Sequence, residues 1–76
     1  MNKPRREALQ KIATEIHAIM DELEPLRDEE EEYRDSIPEN MQGSERYEKA
    51  EEYAQLLGDA YDSLENAVSS IESTAE

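Results

Sequence analysis

The sequence predicts an all-α fold, an antiparallel two-helix hairpin of coiled-coil type. Three observations carry that expectation. Two apolar series step 3, 4, 3, 4 without a slip, the two run for the same length, and a segment bearing Pro, Asn and Gly separates them.

The first series is Leu9, Ile12, Ile16, Ile19, Leu23, Leu26, Glu30, Tyr33 and Ile37, and only Glu30 interrupts its apolar character. Such spacing lines residues along one face of a helix. The second series, Tyr47, Ala50, Ala54, Leu57, Tyr61, Leu64, Val68, Ile71 and Ala75, repeats the pattern. The chain therefore reads as one unit over 1–76, with helix one over about 4–35, a loop over about 36–43 and helix two over about 44–74.

Within the loop, Ser36 and Glu39 have the spacing of a capping box, which predicts a short helical turn ending at Gly43. Ser44 is then the natural N-cap of helix two. Folding back about Asn40 pairs Leu9 with Ile71, Ile12 with Val68, Ile16 with Leu64, Ile19 with Tyr61, Leu23 with Leu57 and Tyr33 with Tyr47. In that register Glu30 lies opposite Ala50 and reaches water, Glu29 approaches Arg46, and Arg34 approaches Glu51. Pro25 falls inside the first series without disturbing its phase. The expectation is a kinked helix with Pro25 on the solvent side; the alternative is a break at Glu24, with Pro25 opening a new helix. Gly58 is a similar soft point in helix two.

A second stripe on helix two, Tyr53, Leu56, Ala60, Ser63, Ala67, Ser70 and Thr74, contains no charged residue, although 38% of the chain is charged. Small residues let another helix approach closely, so Tyr53, Leu56, Ala60 and Ala67 form a candidate dimer face, through which two hairpins would make a four-helix bundle. The competing reading is that Tyr53 and Ala60 widen the intramolecular core while the serines are solvated. A chain of 76 residues without cysteine has little core of its own, typically about 3–5 kcal/mol, which argues for a partner surface.

Charge narrows the function. Twenty-one acidic against eight basic residues give a formal charge of −13, which repels nucleic-acid phosphates and anionic lipid and argues against direct binding to either. No apolar run is long enough to span a bilayer, and the N-terminal segment lacks the apolar stretch of a secretory signal, so the expected location is cytoplasmic. His17 has no Cys or second His beside it, which leaves no transition-metal site, and no cofactor is expected. The run Asp28-Glu29-Glu30-Glu31-Glu32 points around the whole circumference of a helix and lacks the spacing of a calcium loop. A hairpin offers no obvious pocket for catalytic residues, so the chain is not expected to be an enzyme.

The acid is concentrated away from the N-terminus, where Lys3, Arg5, Arg6 and Lys11 form a basic tip. Near the loop, a rigid array of carboxylates would resemble the phosphates of a nucleic acid. Asp28, Glu29, Glu31, Glu32, Glu48, Glu51 and Glu52 are the candidate partner-binding residues, and a host protein with a basic groove is the expected partner.

The phrase Ile37-Pro38-Glu39-Asn40-Met41-Gln42-Gly43-Ser44-Glu45-Arg46, followed by acidic heptads through Ile71-Glu72, resembles small acidic helical proteins of phages and mobile elements in Gram-positive bacteria. The resemblance covers about the C-terminal half. It implies a helical hairpin in a bacterial host cytoplasm and, because such elements encode inhibitors of restriction and CRISPR nucleases, an inhibitor or adaptor mimicking nucleic acid. The alternative function is a structural homo-oligomerisation module.

Overall fold

The computed structural model describes residues 1–75, and it is a long helical hairpin of 59 × 15 × 13 Å. Helix α1 spans Lys3–Ser36, a 3-10 turn spans Glu39–Met41, and helix α2 spans Glu45–Thr74. The two long helices pack against each other along the rod.

Local chemistry sets each boundary. Asn2 caps α1 by accepting a hydrogen bond from the Arg5 backbone at 2.8 Å, and Pro4 lies in the first turn, where its missing donor is harmless. At the other end Ile37 turns extended, as a residue preceding proline prefers. Ser36 does not cap the following turn; its hydroxyl donates to the Tyr33 carbonyl at 2.7 Å and helps to close α1. The short turn is held instead by backbone bonds from Met41 to Pro38 and from Gln42 to Glu39. Ser44 caps α2, accepting from the Tyr47 backbone at 3.3 Å, and Glu45 and Glu48 add negative charge where the helix dipole favours it.

Helix α1 runs unbroken through Pro25, which is exposed. The proline lacks the donor for the Asp21 carbonyl, and water can satisfy that oxygen on the solvent side. Helix α2 likewise continues through Gly58, and no glycine has a positive φ.

The face that α1 turns to its neighbour differs from the apolar stripe. Leu9, Ile16, Leu23 and Glu30 are half-buried and Ile37 is buried, but the alternate members of the seam are Ala13, Met20, Arg27 and Arg34. Ile12, Ile19, Leu26 and Tyr33 stay outside; Ile19 is 50% exposed while its neighbour Met20 is 5% exposed. Helix α1 is thus rotated about its axis from the expected orientation. The rotation brings Arg27 over the Tyr61 ring, 4.7 Å from its centre, and lays Arg34 in a groove beside the acidic side chains of α2. Cation–π and charge attraction contribute to this orientation, which leaves the bulkier aliphatic column outside. On α2 the buried residues are Ala50, Ala54 and Val68, and Ala75 is buried just beyond its end, all members of the expected stripe.

The register also shifts, by about one helical turn. Tyr61 meets Arg27 rather than Ile19, Gln10 donates to the Ala75 carbonyl at 3.2 Å, and His17 faces Glu72 at 3.4 Å. The chain reverses beyond Asn40 because the 3-10 turn and its bond from Ser44 to Met41 carry the bend further along. Neither expected flanking ion pair forms. Arg34 pairs with Asp35 at 3.1 Å, and Arg46 donates to the Tyr33 hydroxyl at 2.6 Å.

The aliphatic core occupies the half of the rod nearest the chain ends, where Ala13, Met20 and Val68 are packed by Ile16, Tyr61, Leu64 and Ile71. Met20→Ala should lower the unfolding free energy by about 2–3 kcal/mol. Ile19→Ser, one residue away, should change it by under about 0.5 kcal/mol in dilute solution. Urea melts followed by circular dichroism separate the two, and equal effects would contradict the rotated seam. In the same assay Pro25→Ala should stabilise the hairpin by about 1–3 kcal/mol, since alanine restores the missing helical bond.

Candidate functional site: two unlike sides of the hairpin

Side chains flanking the seam divide the rod lengthwise. Residues seven apart share a helical flank, so one contact across the hairpin identifies a whole pair of columns. Arg46 bonds Tyr33, and its guanidinium also lies 5.3 Å from the Tyr33 ring centre. Ile12, Ile19 and Leu26 recur at sevens from Tyr33, as Tyr53, Ala60 and Ala67 do from Arg46. These columns therefore run side by side along one flank, with Leu56 beside Tyr53 and Ala60. That flank is largely apolar and all of these residues are exposed.

The contact of His17 with Glu72 marks the opposite flank. Glu24 and Glu31 recur at sevens from His17, and Glu65 and Glu51 from Glu72. Asp21, Asp28 and Asp62 stand on the same side, one helical turn outward. Near the middle of the rod a shallow groove is lined by Glu31, Arg34, Glu51, Ala54, Gln55, Gly58, Asp59 and Asp62. A second groove, at the chain ends, is lined by Gln10, Ala13, Thr14, His17, Glu72 and Ala75.

The seven nominated carboxylates do not form one sheet. Asp28, Glu31, Glu48 and Glu51 share the acidic flank by helical spacing, and of these Glu31 and Glu51 line the central groove. Glu29, Glu32 and Glu52 each follow one residue later, about 100° further round, and point elsewhere. Asp28 is occupied by Arg27, whose guanidinium donates to Oδ1 at 3.1 and 3.3 Å. That hydrogen bond is the foremost cause holding the Arg27 pKa above its ordinary value, against desolvation, which lowers it. Arg34 is raised in the same way by Asp35. Asp59 and Asp62, acidic residues of α2 outside the seven candidates, complete the groove.

The nominated apolar residues Tyr53, Leu56, Ala60 and Ala67 are all exposed on the other flank. Ile12, Ile19, Leu26 and Tyr33, members of the apolar series expected at the seam, join them there. Among the described residues no group of three or more His, Cys, Asp or Glu side chains is placed to hold a metal ion, and no helix is long and apolar enough to cross a membrane. Comparison with protein-family models, curated proteins and solved structures finds no match.

Gly58 lines the acidic groove, and a Cβ built there meets nothing within 4 Å. Gly58→Ala should therefore raise thermal stability by about 0.5–1 kcal/mol through helix propensity, read as a higher melting temperature. A lower one would show that the groove closes over that position.

Proposed function

We propose that this chain is a non-enzymatic protein-binding module, an inhibitor or adaptor whose acidic flank docks in a basic groove of a nucleic-acid-handling host protein, such as a CRISPR or restriction nuclease. The observation that carries the reading is the convergence of carboxylates from both helices on one flank. Carboxylates from both helices line one side of a straight, thin rod, with Glu31, Glu51, Asp59 and Asp62 converging on a groove in its middle. A basic cleft built for a phosphate backbone recognises regularly spaced negative charge on a narrow body. A −13 chain would be drawn to such a cleft by long-range attraction and would exclude the nucleic acid once seated.

The arginines of the seam fit this reading. Arg27 and Arg34 are turned onto Tyr61, Asp28 and Asp35, so their charge is locally answered and the surrounding carboxylates dominate the field. The proposed setting is a bacterial host cytoplasm, as a kinship with proteins of phages and mobile elements would imply.

The test is a salt and competition series with the chain immobilised in a bacterial lysate. Nucleic-acid-binding proteins should be retained, released at moderate salt where screening lengths fall below about 8 Å, and displaced by added DNA or RNA. The variant carrying Glu31→Gln, Glu51→Gln, Asp59→Asn and Asp62→Asn should keep its helicity and lose most of that retention. Equal retention by the neutralised variant, or indifference to nucleic acid, would overturn the reading.

A further inference from the structure

The apolar flank opposite the acid is uncovered. Ile19, Leu26, Tyr53 and Leu56 are each about half exposed, and no large side chain anywhere among the described residues is fully buried. Counting Ile12 and Tyr33, six large side chains leave on the order of 500 Å² of apolar surface in the open, near the upper end of the largest patch on a typical monomer. With Ala60, Ala67 and the serines between them, the flank approaches the roughly 800 Å² per partner of a stable interface.

We propose that a second copy of this chain covers the flank, α1 of each copy lying on α2 of the other, with both loops at the same end of a four-helix bundle. This concerns the side away from the acidic groove and stands independently of what that groove binds.

Two features of the flank choose the occupant and its orientation. The first is charge at its edges. Glu15, Glu22 and Glu29 border it on α1, whereas Lys49, Ser63 and Ser70 border it on α2. Laying α1 on α1 would set the two acidic edges against each other, and laying α1 on α2 sets Glu15 and Glu22 beside the neutral Ser70 and Ser63.

The second is shape. A two-fold axis along the rod keeps every residue at its own height. Ile16 and Met20 pack with Leu64 and Val68 inside one hairpin, so Ile19 of one copy arrives level with Ser63 and Ala67 of the other. Leu26, two turns further along, reaches the height of Leu56 and Ala60. Ile19 thus meets only small side chains, and Leu26 meets Ala60 beside Leu56, so bulk on α1 is set against a small residue of α2 at both sites, as interdigitating helices require. Laying α1 on α1 would instead set Ile12, Ile19 and Leu26 of one copy against the same bulky column of the other.

Analytical ultracentrifugation across a concentration series should show a species of twice 8.8 kDa that the double variant Ile19→Glu, Ala67→Glu abolishes without loss of helicity. Both positions are exposed in the hairpin, so the fold itself tolerates the change. The chain has no native cysteine, so a spin label on Asn40→Cys is unique. Two labels in a same-end bundle should lie under about 30 Å apart, given interhelical spacings of about 10 Å. A monomer at every concentration, a dimer untouched by the glutamates, or a label distance on the order of the 59 Å rod would each overturn the proposal.

Discussion

The rotation of α1 about its own axis governs the molecule. Leu9, Ile16, Leu23, Glu30 and Ile37 belong to the seam in either orientation, so what is decided is whether the column of Ile19 or that of Met20 joins them. The choice falls on Ala13, Met20, Arg27 and Arg34. From it follow the narrow core, the arginine stems laid across the small side chains of α2, and the aliphatic column left on the outside. A rotation of one residue step would erase the difference between the two sides.

The seam is unlike along its length. Near the chain ends it is aliphatic, with Ala13, Met20 and Val68 at its centre. Toward the loop, Arg27, Glu30, Glu31 and Arg34 lie against a helix face whose small members are Ala50, Ala54 and Gly58. Long charged side chains can cover such a surface with their methylene stems while their heads remain at the edge. Polar residues at seam positions add less stability than aliphatic ones, but they discriminate between registers, and Arg27 over Tyr61 is the contact that separates the observed register from its neighbour.

The hairpin and the seam of α2 were legible because the series from Tyr47 to Ala75 is apolar at every position, whereas the neighbouring uncharged stripe is diluted by Ser63, Ser70 and Thr74. Helix α1 was ambiguous. Ala13 and Met20 sit one residue from Ile12 and Ile19, and counting hydrophobic bulk selects the wrong column. An arginine in a seam carries no hydrophobic signal, so neither Arg27 nor Arg34 could announce itself. The one-turn error in register came from centring the reversal on Asn40, whereas the backbone bonds of the 3-10 turn place it further along. For the acidic flank, density of charge near the loop was a poor guide. Successive carboxylates such as Glu31 and Glu32 diverge by about 100°, and distant ones such as Glu31 and Asp62 converge.

The placement of the aliphatic packing at the open pole also has a mechanical meaning. Gln10 is tied to the Ala75 carbonyl at that pole. Tension applied between the two ends of this hairpin would load the helices in an unzipping geometry, meeting the Met20 and Val68 layers first and the polar layers afterwards. Tension on the loop against both ends would instead pull each helix along its own axis, side by side, and leave the packing between them unloaded. The first direction has a single early barrier followed by weak resistance; the second is resisted by the backbone hydrogen bonds of both helices together.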